Sequence, residues 1–300
     1  MQFKNIFTAF LILTGTISFA QQDWSYASEG QRNFWFNPAS IGTYNSYSIN
    51  TVGKMDWVKV NSAPRGLQLN GALKCLRIGD TENPFSYGAV GVNYKFETIS
   101  VLTSHHVSVP INTQFKLKGS YLSIGVSPGI NSIEFEGGWV PPTTDPDPVI
   151  DEILSSSQTK FTTGAGVQWF GKNFSIGLAS THLFNERFEK IGYQSLRVFY
   201  LNGSYRKPLS DKFALGAVFT GRTAQSFSSA QGIISAIFGA KNELSFGLGY
   251  RSRNSFIASV AKRYNNFYLG YFATYNNSQL SGGSFGHEVR IAFELFDSKL

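Results

Sequence analysis

The chain has 300 residues, 15% aromatic and 15% charged side chains, and a formal charge of +7; soluble domains usually carry about 25% charge. A single cysteine, Cys75, excludes an intrachain disulfide and a thiolate metal cluster, and a buried or lumenal free thiol is its expected state. Lys and Arg are scattered without a basic run or basic helix, which argues against a nucleic-acid partner.

Residues 1–20 have the form of an export signal. Lys4 supplies the positive start, Ile6 to Ile17 the apolar stretch, and Ser18-Phe19-Ala20 the small residues before a cut at Gln21. The apolar run is too short to span a bilayer as a helix. No cysteine stands at the cut itself, so no lipoprotein anchor is expected. Residues 21–45 are aromatic-rich but without period, as in Asp23-Trp24-Ser25-Tyr26 and Phe34-Trp35-Phe36. Such a segment either hangs below the following domain or folds into it as a plug.

From 46 to 300 the chain reads as one all-β domain, a transmembrane antiparallel β-barrel of about fourteen strands. The predicted cores are 46–56, 65–74, 86–97, 103–117, 120–135, 159–171, 173–184, 195–209, 212–224, 226–239, 243–253, 255–265, 267–276 and 284–296. Alternation separates two faces. Val107, Val109, Ile111, Phe115 and Leu117 oppose His106, Ser108, Asn112, Gln114 and Lys116. Leu244, Phe246, Leu248 and Tyr250 oppose Ser245, Gly247, Gly249 and Arg251. Period two puts the apolar set toward lipid and the polar set inside. Segments 195–209 and 226–239 alternate poorly.

From the fourth strand onward, tight polar turns recur at every second connection: Lys118-Gly119, Gly171-Lys172-Asn173, Leu209-Ser210-Asp211, Ala240-Lys241-Asn242 and Asn265-Asn266. They fit periplasmic turns. The connections between them are mostly longer, notably 136–158, 185–194 and 277–283, and fit outer loops. Trp169, Phe170, Phe174, Tyr264, Phe267 and Tyr268 bracket two turns, where an interfacial aromatic girdle belongs. Pro110 and Pro128 fall inside strands, so a bulge or strand end is expected near each.

Strand parity sends Lys95, Glu97, Lys116, Arg222, Arg251, Arg253, Glu288, Arg290 and Glu294 inward. With both signs present, mutual pairing that braces a filled lumen is the preferred reading over a polar pore or a dock for the N-terminal segment. No catalytic, cofactor or metal site is expected. His105 and His106 are adjacent on a strand and face opposite ways, so they cannot share one ion. No Cys or carboxylate stands at ligand spacing from His182 or His287. The loop 136–158 holds Asp145, Asp147, Asp151 and Glu152, but its prolines and residue order do not match a Ca²⁺ loop.

Several motifs, in order along the chain, carry a family resemblance. They are Gln21-Gln22-Asp23, then Phe36-Asn37-Pro38-Ala39-Ser40-Ile41-Gly42, then Asp56-Trp57 and Ala63-Pro64-Arg65-Gly66-Leu67. Gly164-Ala165-Gly166-Val167, Ile176-Gly177-Leu178 and the ending Gly286-His287-Glu288-Val289-Arg290-Ile291-Ala292-Phe293-Glu294-Leu295 complete the set. With these the chain resembles the PorP/SprF family of outer-membrane proteins of type IX secretion and gliding-motility systems. The motif residues are Asn37, Pro38, Ala39, Gly42, Trp57, Pro64, His287 and Glu288. The resemblance implies a non-enzymatic outer-membrane component of a Gram-negative bacterium, without cofactor and with both termini periplasmic. Its implied partners are outer-membrane lipid, periplasmic secretion or gliding components, and a secreted adhesin's C-terminal domain. The Asn-Pro-Ala near the N-terminus is also similar to FadL-type channels, which leaves a hydrophobic-compound or small-solute channel as the alternative.

Overall fold

In the computed structural model, period-two alternation becomes a closed wall. It describes residues 25–29, 35–57, 63–79, 84–135, 156–224, 227–239, 242–252, 254–277 and 284–296. A short 3-10 turn, Pro38–Ser40, precedes the strands. These are β1 (Asn45–Met55), β2 (Arg65–Gly79), β3 (Pro84–Ile99), β4 (Leu102–Ser108), β5 (Ile111–Leu117) and β6 (Ser120–Phe135). There follow β7 (Ser157–Phe170), β8 (Phe174–Thr181), β9 (Arg187–Phe188), β10 (Tyr193–Gln194), β11 (Val198–Ser210) and β12 (Phe213–Ala224). The last are β13 (Phe227–Phe238), β14 (Leu244–Arg251), β15 (Ser255–Tyr264), β16 (Phe267–Asn276) and β17 (Ser284–Phe296).

β9 and β10 form a separate hairpin, and β4 and β5 share one place between β3 and β6. The wall is therefore a 14-strand antiparallel barrel. It closes where β1 pairs with β17, with Ile49 opposite Phe293 and Lys54 opposite Glu288. Closure leaves no free strand edge, which a lipid environment requires.

The faces divide by polarity in reverse of a water-soluble protein. Leu248 (74%), Ile234 (68%) and Leu178 (62%) are exposed on the outside. Gln68, Gln114, Asn93 and Ser123 are buried on the inside. An apolar outer surface of this extent belongs in hydrocarbon, where it carries no hydration cost.

One end of the barrel carries the tight turns at Lys118–Gly119, 171–173, Asp211–Lys212 and Asn265–Asn266; we call it the turn end and the other the loop end. Not every loop-end connection is long: β3 passes to β4 through Ser100, at φ 57°, two residues separate β12 from β13, and three separate β14 from β15. The longer connection 182–197 folds its hairpin over the loop end, packing Phe188 and Ile191 on Ile133.

The prolines interrupt the hydrogen-bond ladder without inserting a residue. β4 ends at Ser108 and β5 begins at Ile111, yet the pairing with β6 keeps register from Ser108–Gly129 to Ile111–Val126. So Pro110 marks a strand end, whereas Pro128 stays inside β6 and needs no bulge. The amide and carbonyl of one strand residue point the same way. The Pro128 carbonyl accepts from Val109 N–H at 2.9 Å, so its missing donor faces the gap where the ladder is already open.

Two further expectations are corrected. Cys75 is exposed, neither buried nor lumenal: the β2–β3 register slips between Lys74 and Leu76, and the cysteine sits on that bulge. Of the girdle aromatics, Trp169, Tyr264 and Phe267 are exposed outside, but Phe170 is fully buried and Tyr268 lines the interior. Parity explains both, since each immediately follows an outward neighbour.

Candidate functional site: a lumen occupied by the N-terminal segment

Residues 25–29 and 35–44 lie inside the barrel, and three kinds of contact seat them there. The first is apolar. Phe36 packs on Ala179, Val198 and Tyr200, its ring stacked on Tyr200 at 4.8 Å. Ala27 meets Ile233, Ile257 and Phe272, and Ile41 meets Ala72 and Ala89. Val198, Tyr200 and Ile233 belong to the two segments that alternate poorly. Their inward face is apolar because it meets the N-terminal segment rather than water.

The second is a glycine seat beneath the turn Asn37–Ser40. Asn37 caps this turn, accepting from Ala39 N–H at 3.0 Å, and Pro38 supplies the preset φ of its first position. Gly125 on β6 faces the turn so closely that a Cβ there would lie 2.7 Å from Ala39 N. Gly166 on β7 and Gly177 on β8 likewise leave no room beside the Asn37 amide. That amide donates to Gln168 Oε1 at 2.9 Å and reaches Asn202 Oδ1 at 3.4 Å. Gly42 then turns the chain at φ 62°, against Ala89, and Tyr44 donates from its hydroxyl to Phe174 O at 2.9 Å across the turn end.

The third is polar. Glu288 accepts from Ala27 N–H at 2.7 Å and Ser28 N–H at 2.9 Å. Lys54 donates to Ser25 O and pairs with Asp56 at 2.8 Å. Gln231 donates to Tyr26 O at 3.0 Å and accepts from Arg251 Nε at 3.0 Å. Asn112 donates to Ile41 O at 2.8 Å, and Gln114 to the same carbonyl at 2.9 Å. Tyr26 is fully buried; burial, then the nearby Glu97 and Glu288 carboxylates, hold its phenol well above the ordinary range. A backbone removed from water needs every amide answered, and barrel side chains answer these.

The residues expected inward divide by role. Lys95 pairs with Glu97 at 2.8 Å and lies over Trp35 at 5.1 Å. Arg290 bonds Asn50 Oδ1 at 2.9 Å and pairs with Glu294 at 3.2 Å, and Arg263 pairs with Glu294 at 2.8 Å. Arg222 and Arg251 are buried inside. Lys116 is a correction: it has inward parity but stands one residue from the end of β5, so its side chain is exposed at the rim. Arg253 lies outside the described residues, as do Asp145, Asp147, Asp151 and Glu152. Lys54, Asp56, Glu243 and Arg263 were missed. The β15 alternation of Phe256, Ala258 and Val260 against Ile257, Ser259 and Ala261 would have found Arg263.

The motif residues scatter around the same interior. Asn37, Pro38, Ala39, Gly42 and Glu288 form the dock, while Pro64 is buried and passes its carbonyl to Asp56 N–H at 3.0 Å. Trp57 is 39% exposed at the loop end with φ 52°, and His287 faces out toward the Tyr271 hydroxyl at 2.5 Å. His105 and His106 do face apart. His105 meets Tyr94 and Phe96 outside, and His106 meets Trp35 and His182 inside. The fold does bring a carboxylate to His182, since Glu186 lies 2.7 Å from its Nδ1. No group of three or more His, Cys, Asp or Glu side chains set to hold a metal occurs among the described residues.

A family model described as "Type IX secretion system membrane protein PorP/SprF" matches residues 18–293. No curated protein matches the sequence. Among solved structures, the toluene transporter TbuX of Ralstonia pickettii is similar with a TM-score of 0.51 at 12% identity, over 87% of this chain and 92% of that one. A Pseudomonas aeruginosa FadL homologue follows at 0.47 and 9%, over 86% and 92%. The Acinetobacter baumannii protein Omp33 gives 0.45 and 12%, over 85% and 100%. At these identities the TbuX likeness speaks for the barrel fold alone.

Proposed function

Since the chain belongs to the PorP/SprF family of type IX secretion system membrane proteins, and is an outer-membrane component of that system, we propose that it acts there without catalysis, as an occupied barrel. In this reading it holds secretion or gliding components at its turns and supports surface attachment of an adhesin through that adhesin's C-terminal domain. Residues 1–20 are an export signal in the same reading, and the turn end faces the periplasm. The observation that carries the proposal is the dock itself. Residues 25–29 and 35–44 are anchored from the loop-end half of the lumen, at Glu288 and Lys54, to the turn end at Phe174. A segment seated by so many buried contacts makes the barrel a platform rather than an open path. Deleting the gene is expected to abolish surface display of an adhesin while other outer-membrane proteins keep their levels. Unchanged display, measured on intact cells with an antibody to the adhesin, would overturn the proposal.

A further inference from the structure

The turn end carries its charge unevenly. In the wall, β5, β6, β7, β8, β11 and β12 are consecutive neighbours, so the turns β5–β6, β7–β8 and β11–β12 stand side by side. Lys118 occupies the first of these turns, Lys172 the second and Lys212 the third. Lys116 adds its charge at the rim beside Lys118. All four are exposed, and Asp211 is the one exposed acidic residue on the same arc among the described residues.

None of the four lysines has an ion-pair partner among the described residues. Arginines at the same end are treated differently. Glu243 meets Arg206 at 2.6 Å and lies 3.9 Å from Arg263, whose nearer partner is Glu294 at 2.8 Å. Those cations are answered within the chain, and the lysine arc is not. Like charges gathered on one face raise a positive potential and repel one another, and an acidic partner relieves that repulsion and is steered toward it.

Position narrows the partner. Lipid around the wall reaches side chains of outward parity, and on this arc that is Lys207, which shares the outer face with Leu201 and Tyr205. Lys118, Lys172 and Lys212 instead stand on the turns, beyond the last paired residues Leu117–Ser120, Phe170–Ser175 and Ser210–Phe213. Lys116 has inward parity. A ligand that meets all four must cap the end of the barrel rather than surround it. Six neighbouring strands at about 4.8 Å spacing make an arc of roughly 24 Å, the length of about seven extended residues. We propose that this arc docks an acidic, extended segment of a periplasmic protein. Such docking rests on the reading that the turn end faces the periplasm and holds secretion or gliding components there, and it supplies the chemistry by which one of them is recognised.

Full-length protein in nanodiscs of phosphatidylcholine exposes both ends to a probe. The probe is a dye-labelled octapeptide alternating Glu and Ser, followed by fluorescence anisotropy, with the matching Gln and Ser peptide as control. The acidic peptide is expected to bind roughly tenfold more tightly than the control and to lose affinity as salt rises from about 0.05 to 0.2 M. Lys118→Glu, Lys172→Glu and Lys212→Glu together should abolish that preference, and Lys172→Glu alone should weaken the acidic peptide severalfold. These are exposed turn positions, and heat-modifiable migration on a gel checks that each variant still forms the barrel. Arg187→Glu with Lys190→Glu, exposed at the loop end, should leave binding unchanged. No binding of the acidic peptide, equal binding of the control, or equal loss from reversal at either end would overturn the proposal. So would capture of phosphatidylglycerol vesicles in preference to the peptide, lost in the same triple variant, which would make the arc a membrane contact. Binding is read on purified protein, so its failure is distinct from unchanged adhesin display after gene deletion, which tests the secretion reading.

Discussion

At the scale of single residues, the interior is decided by absent atoms as much as by present ones. Gly125 lies against the backbone of Pro38 and Ala39, whereas Gly53 on β1 has open space where a Cβ would stand. Gly125→Ala must push the Asn37–Ser40 turn off its seat, at a cost of about 1–3 kcal/mol for overpacking. Gly53→Ala should be close to neutral. Thermal unfolding in detergent, with proteinase K accessibility of the N-terminal segment, separates the two. Glu288 is the corresponding polar test. It holds two amides of the segment beside the buried Lys54. Leaving a buried amide unanswered costs about 1–3 kcal/mol, so Glu288→Ala should lower the melting temperature and release residues 25–29 to protease. The inward parity of Glu288 was legible from Val289 and Ile291 beside it. Its two amide partners were not, because they lie some 260 positions away in the chain.

At the scale of elements, each strand answers to two solvents. Where the inside meets water or polar side chains, the alternation is clean, as on β14 and β17. Where it meets apolar side chains of the N-terminal segment, Val198, Tyr200 and Ile233 make both faces apolar and the period fades. Broken alternation in this chain thus marks the apolar contacts of the dock, while the cleanly alternating β5 and β17 supply polar ones. The outer face has its own test. Leu248, in the middle of β14 and 74% exposed, should tolerate Leu248→Phe, whereas Leu248→Arg should cost about 2–4 kcal/mol at mid-depth. Folding yield into phospholipid vesicles, read by heat-modifiable migration on a gel, checks this. The gap at Val109–Pro110 follows the same local logic, with two neighbouring prolines placing their missing donors at one level of the wall.

At the scale of the whole molecule, the occupied lumen predicts function by what should not pass. Full-length protein in planar bilayers is expected to show little or no steady conductance, and removal of residues 25–44 should raise it severalfold. Steady conductance of the intact protein would favour a channel instead. The barrel, its strand number and the outward face of most strands were determined by the sequence alone, because period two and turn chemistry are local and lipid imposes one rule on every strand. Family membership was likewise carried by short motifs in a fixed order. Only the tertiary structure decided that the Asn37–Ser40 turn rests among three glycines of β6, β7 and β8, and that Glu288 clasps Ala27 and Ser28. Those contacts join positions far apart in the chain. They exist because closing the wall brings distant strands around one enclosed space, which no local period encodes.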